Sequence, residues 1–144
     1  MLDGSLLWHR AATPSFLRGA TALQRLLSSI GFSSRVVAVP PGTLHLKTDC
    51  SLIDEETVLA TKALADSGVL DGMKVVEVPA QERRATNAVR LNDTVLVRAG
   101  CPRTLDLLLQ HGVNAVPLPV DEIAKIDAGL SCMSLRWFDP QRRR

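Results

Sequence analysis

Val36-Val37-Ala38-Val39-Pro40 is a short apolar run closed by proline, and it returns twice, as Val75-Val76-Glu77-Val78-Pro79 and as Ala115-Val116-Pro117-Leu118-Pro119. The closing prolines stand at 40, 79 and 119, so the copies are 39 and then 40 residues apart. Self-similarity at such a period marks an array of supersecondary units. β-branched runs of this length, bounded by a residue that lacks an N–H, are expected to be strands.

Ahead of the first run, Gly19 to Ile30 carries Leu23, Leu26, Leu27 and Ile30 on one helical face and stops at Gly31. Ahead of the third, Pro102 to His111 does the same with Leu105, Leu108 and Leu109 and stops at Gly112. The middle copy is degraded: Thr61 to Ser67 makes at most a short helix, interrupted by Gly68 and Gly72. After each proline turn a second strand is expected: Thr43 to Leu52, then Asn87 to Leu91 joined to Thr94 to Val97 across an Asn92-Asp93 turn, then Leu130 to Trp137. The chain therefore reads as an α/β repeat array over residues 17–138. Residues 1–16 show no clear periodicity, although Leu6, Leu7 and Trp8 are apolar enough for a strand, and residues 139–144 form a basic tail.

With 144 residues, 46% hydrophobic and 22% charged, the chain has the make-up of one globular domain. Aromatics are only 3%, with no Tyr, which demands an aliphatic core and argues against a base-stacking surface for nucleic acid. The net charge of +2 is nearly balanced, and Arg142 to Arg144 read as a solvated terminus. No apolar run reaches membrane-spanning length. Arg10, Arg18 and Arg25 beside the single acid Asp3 superficially resemble a transit peptide, but the first helix uses half of that segment. Cys50, Cys101 and Cys132 are odd in number, widely spaced and without a CxxC pair, so a reducing compartment, the cytoplasm, is expected. For the same reason no structural zinc site is expected, and a set of His45, Cys50 and Cys132 has no metal-ligand spacing.

Corresponding positions of repeats occupy corresponding places in space. The second strands open with His45, Asn87 and Cys132, so units arranged around an axis would bring these three groups together from distant sequence. A thiol beside an imidazole is a nucleophile with its acid–base partner, and Asn87 is the candidate substrate-binding group beside them. The ordinary alternatives are a packed cysteine and a core histidine; repeat symmetry favours the site. Around Cys132, the stretch Lys125 to Trp137 ends a helix, turns at Gly129 and opens the last strand, with Asp127 placed to position the cysteine loop or to touch substrate through its backbone. Cys50, Cys101 and His111 read as structural, and Asp49, Asp54, Glu55 and Glu56 as a solvated acidic turn.

Several of these segments also resemble a known family. Leu44-His45-Leu46-Lys47-Thr48, Ala85-Thr86-Asn87-Ala88-Val89-Arg90, the run from Asp93 to Thr104 and Lys125 to Arg136 with its Gly129-Leu130-Ser131-Cys132-Met133-Ser134-Leu135 core are similar, in order, to the C-terminal part of dimethylarginine dimethylaminohydrolases. These belong to the amidinotransferase and arginine deiminase, or pentein, superfamily. The resemblance implies a five-bladed α/β propeller of ββαβ units, of which this chain holds about three. It also implies Cys132 as covalent nucleophile, His45 as general acid–base, a small guanidinium substrate and no metal or other cofactor. His-Leu-Lys, rather than a His-x-Asp element, favours the dimethylaminohydrolase branch over the deiminases.

Relatives carry two further N-terminal blades with acids that grip the guanidinium, an arginine for the substrate carboxylate and a carboxylate behind the histidine. Asp3 and Arg10 faintly resemble parts of that apparatus but stand too close together to hold the strand pair between them. The expectation is thus an amidinohydrolase-like protein that is incomplete as it stands and associates with itself or with a completing partner chain. The rival expectation is a non-catalytic partial propeller that acts as an interaction module through its open edges. The side chain of the substrate, whether dimethylarginine, methylarginine, agmatine or arginine, is left open.

Overall fold

The computed structural model describes residues 6–8, 14–43 and 45–134. Leu44, Asp3, Arg10, residues 135–137 of the expected last strand and the tail at 139–144 lie outside the described residues. Three units follow one another. The first pairs β1 (Leu6–Trp8) in parallel with β2 (Ser34–Val36) across α1 (Pro14–Ser29). The second is the antiparallel pair β3 (Cys50–Leu52) and β4 (Thr57–Ala60), then α3 (Lys62–Ala65) and β5 (Lys74–Glu77), which returns parallel to β4. The third repeats it with β6 (Val89–Leu91), β7 (Thr94–Arg98), α4 (Pro102–Gln110) and β8 (Asn114–Leu118). The last two units are therefore ββαβ, each a three-stranded mixed sheet with the second strand in the middle.

Local chemistry sets these boundaries. α1 and α4 both end in a Schellman motif, in which Phe32 N–H reaches the Leu27 carbonyl and Val113 N–H the Leu108 carbonyl. The turn requires a left-handed residue, and Gly31 (φ +87°) and Gly112 (φ +72°) supply it. The hairpin between β6 and β7 turns at Asn92, whose φ of +54° is one that asparagine tolerates. Pro117 is accommodated in β8 because that strand is at the edge of its sheet.

The core is aliphatic. β4 is buried along its whole length: Val58 and Ala60 join Leu46, Leu64, Val69 and Leu70 on one face, while Leu59 joins Val76, Val95, Val97 and Leu108 on the other. Each such side chain contributes about 1.5–3 kcal/mol by leaving water, so β4 and β7 are the strands least able to move. In α4, Leu107 rather than Leu109 accompanies Leu105 and Leu108 into the core. Leu109 is exposed, as are Leu26 and Ile30 in and just after α1. No helix among the described residues is long and apolar enough to cross a membrane.

Three expected strands differ. The first repeat's strand is Ser34–Val36, and Val37 and Val39 instead pack against the core of the second unit. Thr43 to Leu52 is not one strand but a loop, α2 (Leu46–Asp49) and then β3. The Thr48 N–H and hydroxyl both bond the His45 carbonyl, and Cys50 N–H bonds Leu46, so local hydrogen bonds win over a ladder. Leu130 to Met133 is a turn after α5 (Asp121–Ala124): Cys132 and Met133 N–H groups both point at the Gly129 carbonyl.

A segment of 3-10 helix, Ala80–Thr86, joins the second and third units. From it the Glu82 carboxylate accepts Arg103 N–H (3.1 Å), Thr104 N–H (2.7 Å) and the Thr104 hydroxyl (2.7 Å), capping α4 from another element. Burial is the largest single influence on Glu82 and raises its pKa, but the Thr104 and Arg103 bonds and the Arg103 charge together outweigh it, leaving the group lowered. A lowered folded pKa means stability that is present above the unfolded value near ~4.3 and is lost as pH falls through the folded one. We expect Glu82→Gln to lower unfolding stability by about 0.5–1 kcal/mol at pH 7, by the usual worth of a cap. In urea melts the gap to wild type should close as pH falls below about 4.

Candidate functional site

The segment bearing His45 is held from below by a buried carboxylate. Asp49, 1% exposed, takes both prongs of Arg83, Nε to Oδ1 at 3.0 Å and Nη2 to Oδ2 at 2.8 Å, together with the Thr43 hydroxyl. Arg83 Nη2 also bonds the Gly42 carbonyl at 3.2 Å. Asp49 is thus no part of a solvated acidic turn, a correction to the reading from sequence; Asp54, Glu55 and Glu56 are exposed as expected. Above this anchor His45, an exposed residue, stands at the N-cap of α2, and Lys47 follows one residue into the helix.

A second set of bonds fixes Asn87. The wholly buried Thr86 places its hydroxyl between the Thr48 and Arg83 carbonyls, at 2.8 and 2.6 Å. Ser51 Oγ donates to the Thr86 carbonyl at 2.7 Å and accepts Ala88 N–H at 3.3 Å. Asn87 therefore leaves the 3-10 segment at a set height, two residues before β6 rather than at the strand's opening. Its Oδ1 accepts Ser131 N–H at 2.8 Å, and its Nδ2 lies 3.6 Å from Cys132 Sγ. The Ser131 N–H that a β-ladder would have used is spent on this side chain, which is the physical reason the cysteine segment is a turn.

Asn87 and Cys132 are thus brought together from distant sequence. The α2 segment that carries His45 reaches the same turn through Lys47: Ser131 Oγ is 3.5 Å from the Lys47 carbonyl, and the Lys47 charge acts on the Cys132 thiol. Asp127 is exposed and adopts φ +55° where the chain leaves α5 for the cysteine turn. Sequence reasoning missed Lys47, Asp49, Thr86 and Arg83; only the spacing of Lys47 from His45 was a local signal, since Asp49 and Arg83 are joined across 34 residues. Among the described residues no group of three or more His, Cys, Asp or Glu side chains is placed to hold a metal ion.

The three thiols differ in electrostatics. Burial and then the neighbouring Asp49 charge push Cys50 up to about 12, and its Sγ lies 3.5 Å from the Leu46 carbonyl. Burial, then Glu82, raise Cys101 against a smaller pull from Arg98. At Cys132 burial is again the largest single influence and raises the pKa. Hydrogen bonds from the Gly129 backbone, Asn87 and Ser131, with the Lys47 charge, outweigh it, and the thiol is lowered. This is the surrounding a thiolate needs.

No protein-family model matches the chain. It is 32% identical over 137 residues to the N(G),N(G)-dimethylarginine dimethylaminohydrolase of Pseudomonas aeruginosa, an alignment taking in 95% of this chain and 54% of that protein. A solved structure of the enzyme from that organism, a cysteine-to-serine mutant complexed with citrulline, superposes with a TM-score of 0.83 at 27% identity, over 95% of this chain and 53% of that one. The inosamine-phosphate amidinotransferase of Streptomyces griseus, 17% identical with a TM-score of 0.69 over 91% of this chain and 42% of its own, shares the fold. The chain spans about half the length of these relatives and has the partial α/β propeller architecture that the family resemblance implied.

The thiol environments set an order of reactivity. Limiting alkylation near pH 7 followed by peptide mapping should label Cys132 first and Cys50 last, because the thiolate is the reacting species. Labelling of Cys50 or Cys101 ahead of Cys132 would contradict that order.

Proposed function

Because the chain is 32% identical to a dimethylarginine dimethylaminohydrolase over 95% of its length, we propose that it acts in hydrolysis of a C–N bond in a guanidinium substrate of the methylated arginine type. In this reading Cys132 is the nucleophile, His45 the acid–base group, and Asp127 offers backbone contacts at the rim. The observation that carries the proposal is the environment of Cys132, the one thiol of the three that is lowered, held between Asn87, the Gly129 backbone and the Lys47 charge.

The Cys132 thiolate would form a C–S bond to the guanidinium carbon. The C–N bond to the substituted nitrogen then breaks, and the departing amine takes a proton from His45. Water next adds to the thiouronium carbon, giving a proton to His45. Cleavage of the C–S bond releases the ureido product and returns the thiolate. No redox partner or metal enters the balance. A cationic substrate favours the sequence further, since its charge beside the thiol stabilises the thiolate before attack.

Chloroacetamidine, an amidine that alkylates thiols, tests both the nucleophile and the substrate class. It should modify Cys132 with saturation kinetics, with protection by methylarginine, and not at all in Cys132→Ser. His45→Ala should slow the labelling while the cooperative melt is kept. Second-order labelling without protection by any guanidine, or loss of the melt in His45→Ala with Cys132 reactivity unchanged, would reject the assignment.

A second proposal concerns association. Leu26, Ile30 and Phe32, in and just after α1, are each between 45% and 61% exposed, and β3, β5, β6 and β8 end their sheets. Apolar surface at about 25 cal/mol per Å² and unpaired strand edges both favour a second copy or a completing chain. Light scattering on size-exclusion fractions should find the chain associated; a monomer with enzyme-like citrulline formation would reject this proposal.

A further inference from the structure

We propose that Asn87 is the positioning residue of the nucleophile: one face of its amide latches the cysteine turn and the other donates to the Cys132 sulfur, in a fit that requires glycine at 129. The inference rests on Cys132 being the nucleophile and adds how its thiolate is held, so that Asn87 serves the thiol rather than the substrate.

The orientation of the amide follows from its partners. Ser131 N–H is a donor 2.8 Å away, so the atom facing it is Oδ1, and the atom left to face Cys132 Sγ at 3.6 Å is Nδ2, which can only donate. A donor aimed at sulfur is a weak partner for a thiol and a strong one for a thiolate, so the contact favours the charged form. Asn87 is itself held on several sides. Its backbone N–H bonds Arg84, its side chain is buried, and Thr86 and Ala88 on either side are tied to Thr48 and Ser51.

Gly129 is the complementary half. A Cβ at this position would fall 2.3 Å from Asn87 Nδ2 and 2.6 Å from its Cγ, closer than carbon approaches in real structures. The glycine serves here for close approach, since its φ is not positive. Its carbonyl also receives Cys132 N–H at 3.1 Å, so a shift of residue 129 displaces the thiol together with the amide. Lys47 is the charged group that acts on Cys132, and it approaches from α2, independently of Asn87.

The rate of Cys132 alkylation against pH, read by mass spectrometry, tests the inference in wild type, Asn87→Ala, Asn87→Asp and Gly129→Ala, with thermal melts of each. Asn87→Asp keeps an oxygen for Ser131 N–H but presents no donor to sulfur. It should melt as wild type does, while its profile moves at least about one pH unit alkaline and labelling at pH 7 falls about tenfold. Asn87→Ala and Gly129→Ala should show the same alkaline shift. A wild-type profile in Asn87→Asp, or loss of its cooperative melt, overturns the inference, because the first removes the donor role and the second the latch. If instead wild-type Cys132 labels no faster than Cys50 or Cys101, the fault lies with the nucleophile assignment and not with Asn87.

Discussion

The pairing of Asp49 with Arg83 is the constraint on which the candidate site depends. It joins the segment that precedes the second unit to the segment that follows it, and the carboxylate is 2% exposed while the guanidinium is half in water. A carboxylate so buried is tolerable only with its lone pairs filled, and Arg83 supplies two donors while Thr43 supplies a third. Hydrogen bonds to a charged group are worth about 1.5–3 kcal/mol each when the group is shielded. The exposed side of Arg83 discounts that figure, yet removal of Arg83 would still leave the buried Asp49 carboxylate without its charged partner. Between Thr43 and Asp49 lie His45 and Lys47, so one buried pair fixes the height of both relative to the third unit.

From that joint the structure reaches the thiol through unlike bonds. Thr86 and Ser51 stitch the 3-10 segment to the start of β3, and Asn87 emerges from the stitch toward the cysteine turn. Packing supplies the platform, because β4 and β7 have their apolar residues buried on both sides of the joint. Polar bonds supply the aim. Cys50 and Cys132 differ in both respects: deeper burial and then the Asp49 carboxylate raise Cys50, whereas at the less buried Cys132 donors and an ammonium outweigh burial.

The architecture was legible in sequence where regular hydrogen bonding prevails. The proline-closed runs near 79 and 119, the glycine stops at 31 and 112 and the Asn92 turn all rest on backbone preferences that act within a few residues. The segments that hold the site were read in the wrong conformation, since Thr43, Thr48, Asp49 and Ser131 form local or side-chain bonds that displace a strand. Exposed Leu109, Leu26 and Ile30 also show that a helical stripe does not say which part of it will be covered. The Asp49 and Arg83 pair had no signature, because its members are distant and each alone resembles a surface charge.

Repeat symmetry marked His45, Asn87 and Cys132 as equivalent positions, and the structure brings Asn87 and Cys132 together. His45 and Asn87 each stand where the chain has finished one sheet and has not begun the next, and Cys132 stands after β8, the last strand of the described residues. In a regular array corresponding places recur whatever the local conformation, because the repeated sheets set their spacing. They are also the positions where backbone groups have no ladder partner, so side-chain bonds decide the conformation. A turn there can hold a thiol against an amide at a distance that a pleated strand, with its side chains alternating between two faces, would not offer. The irregularity that hid these segments from a period-based reading is therefore the same feature that equips them to hold a reactive group.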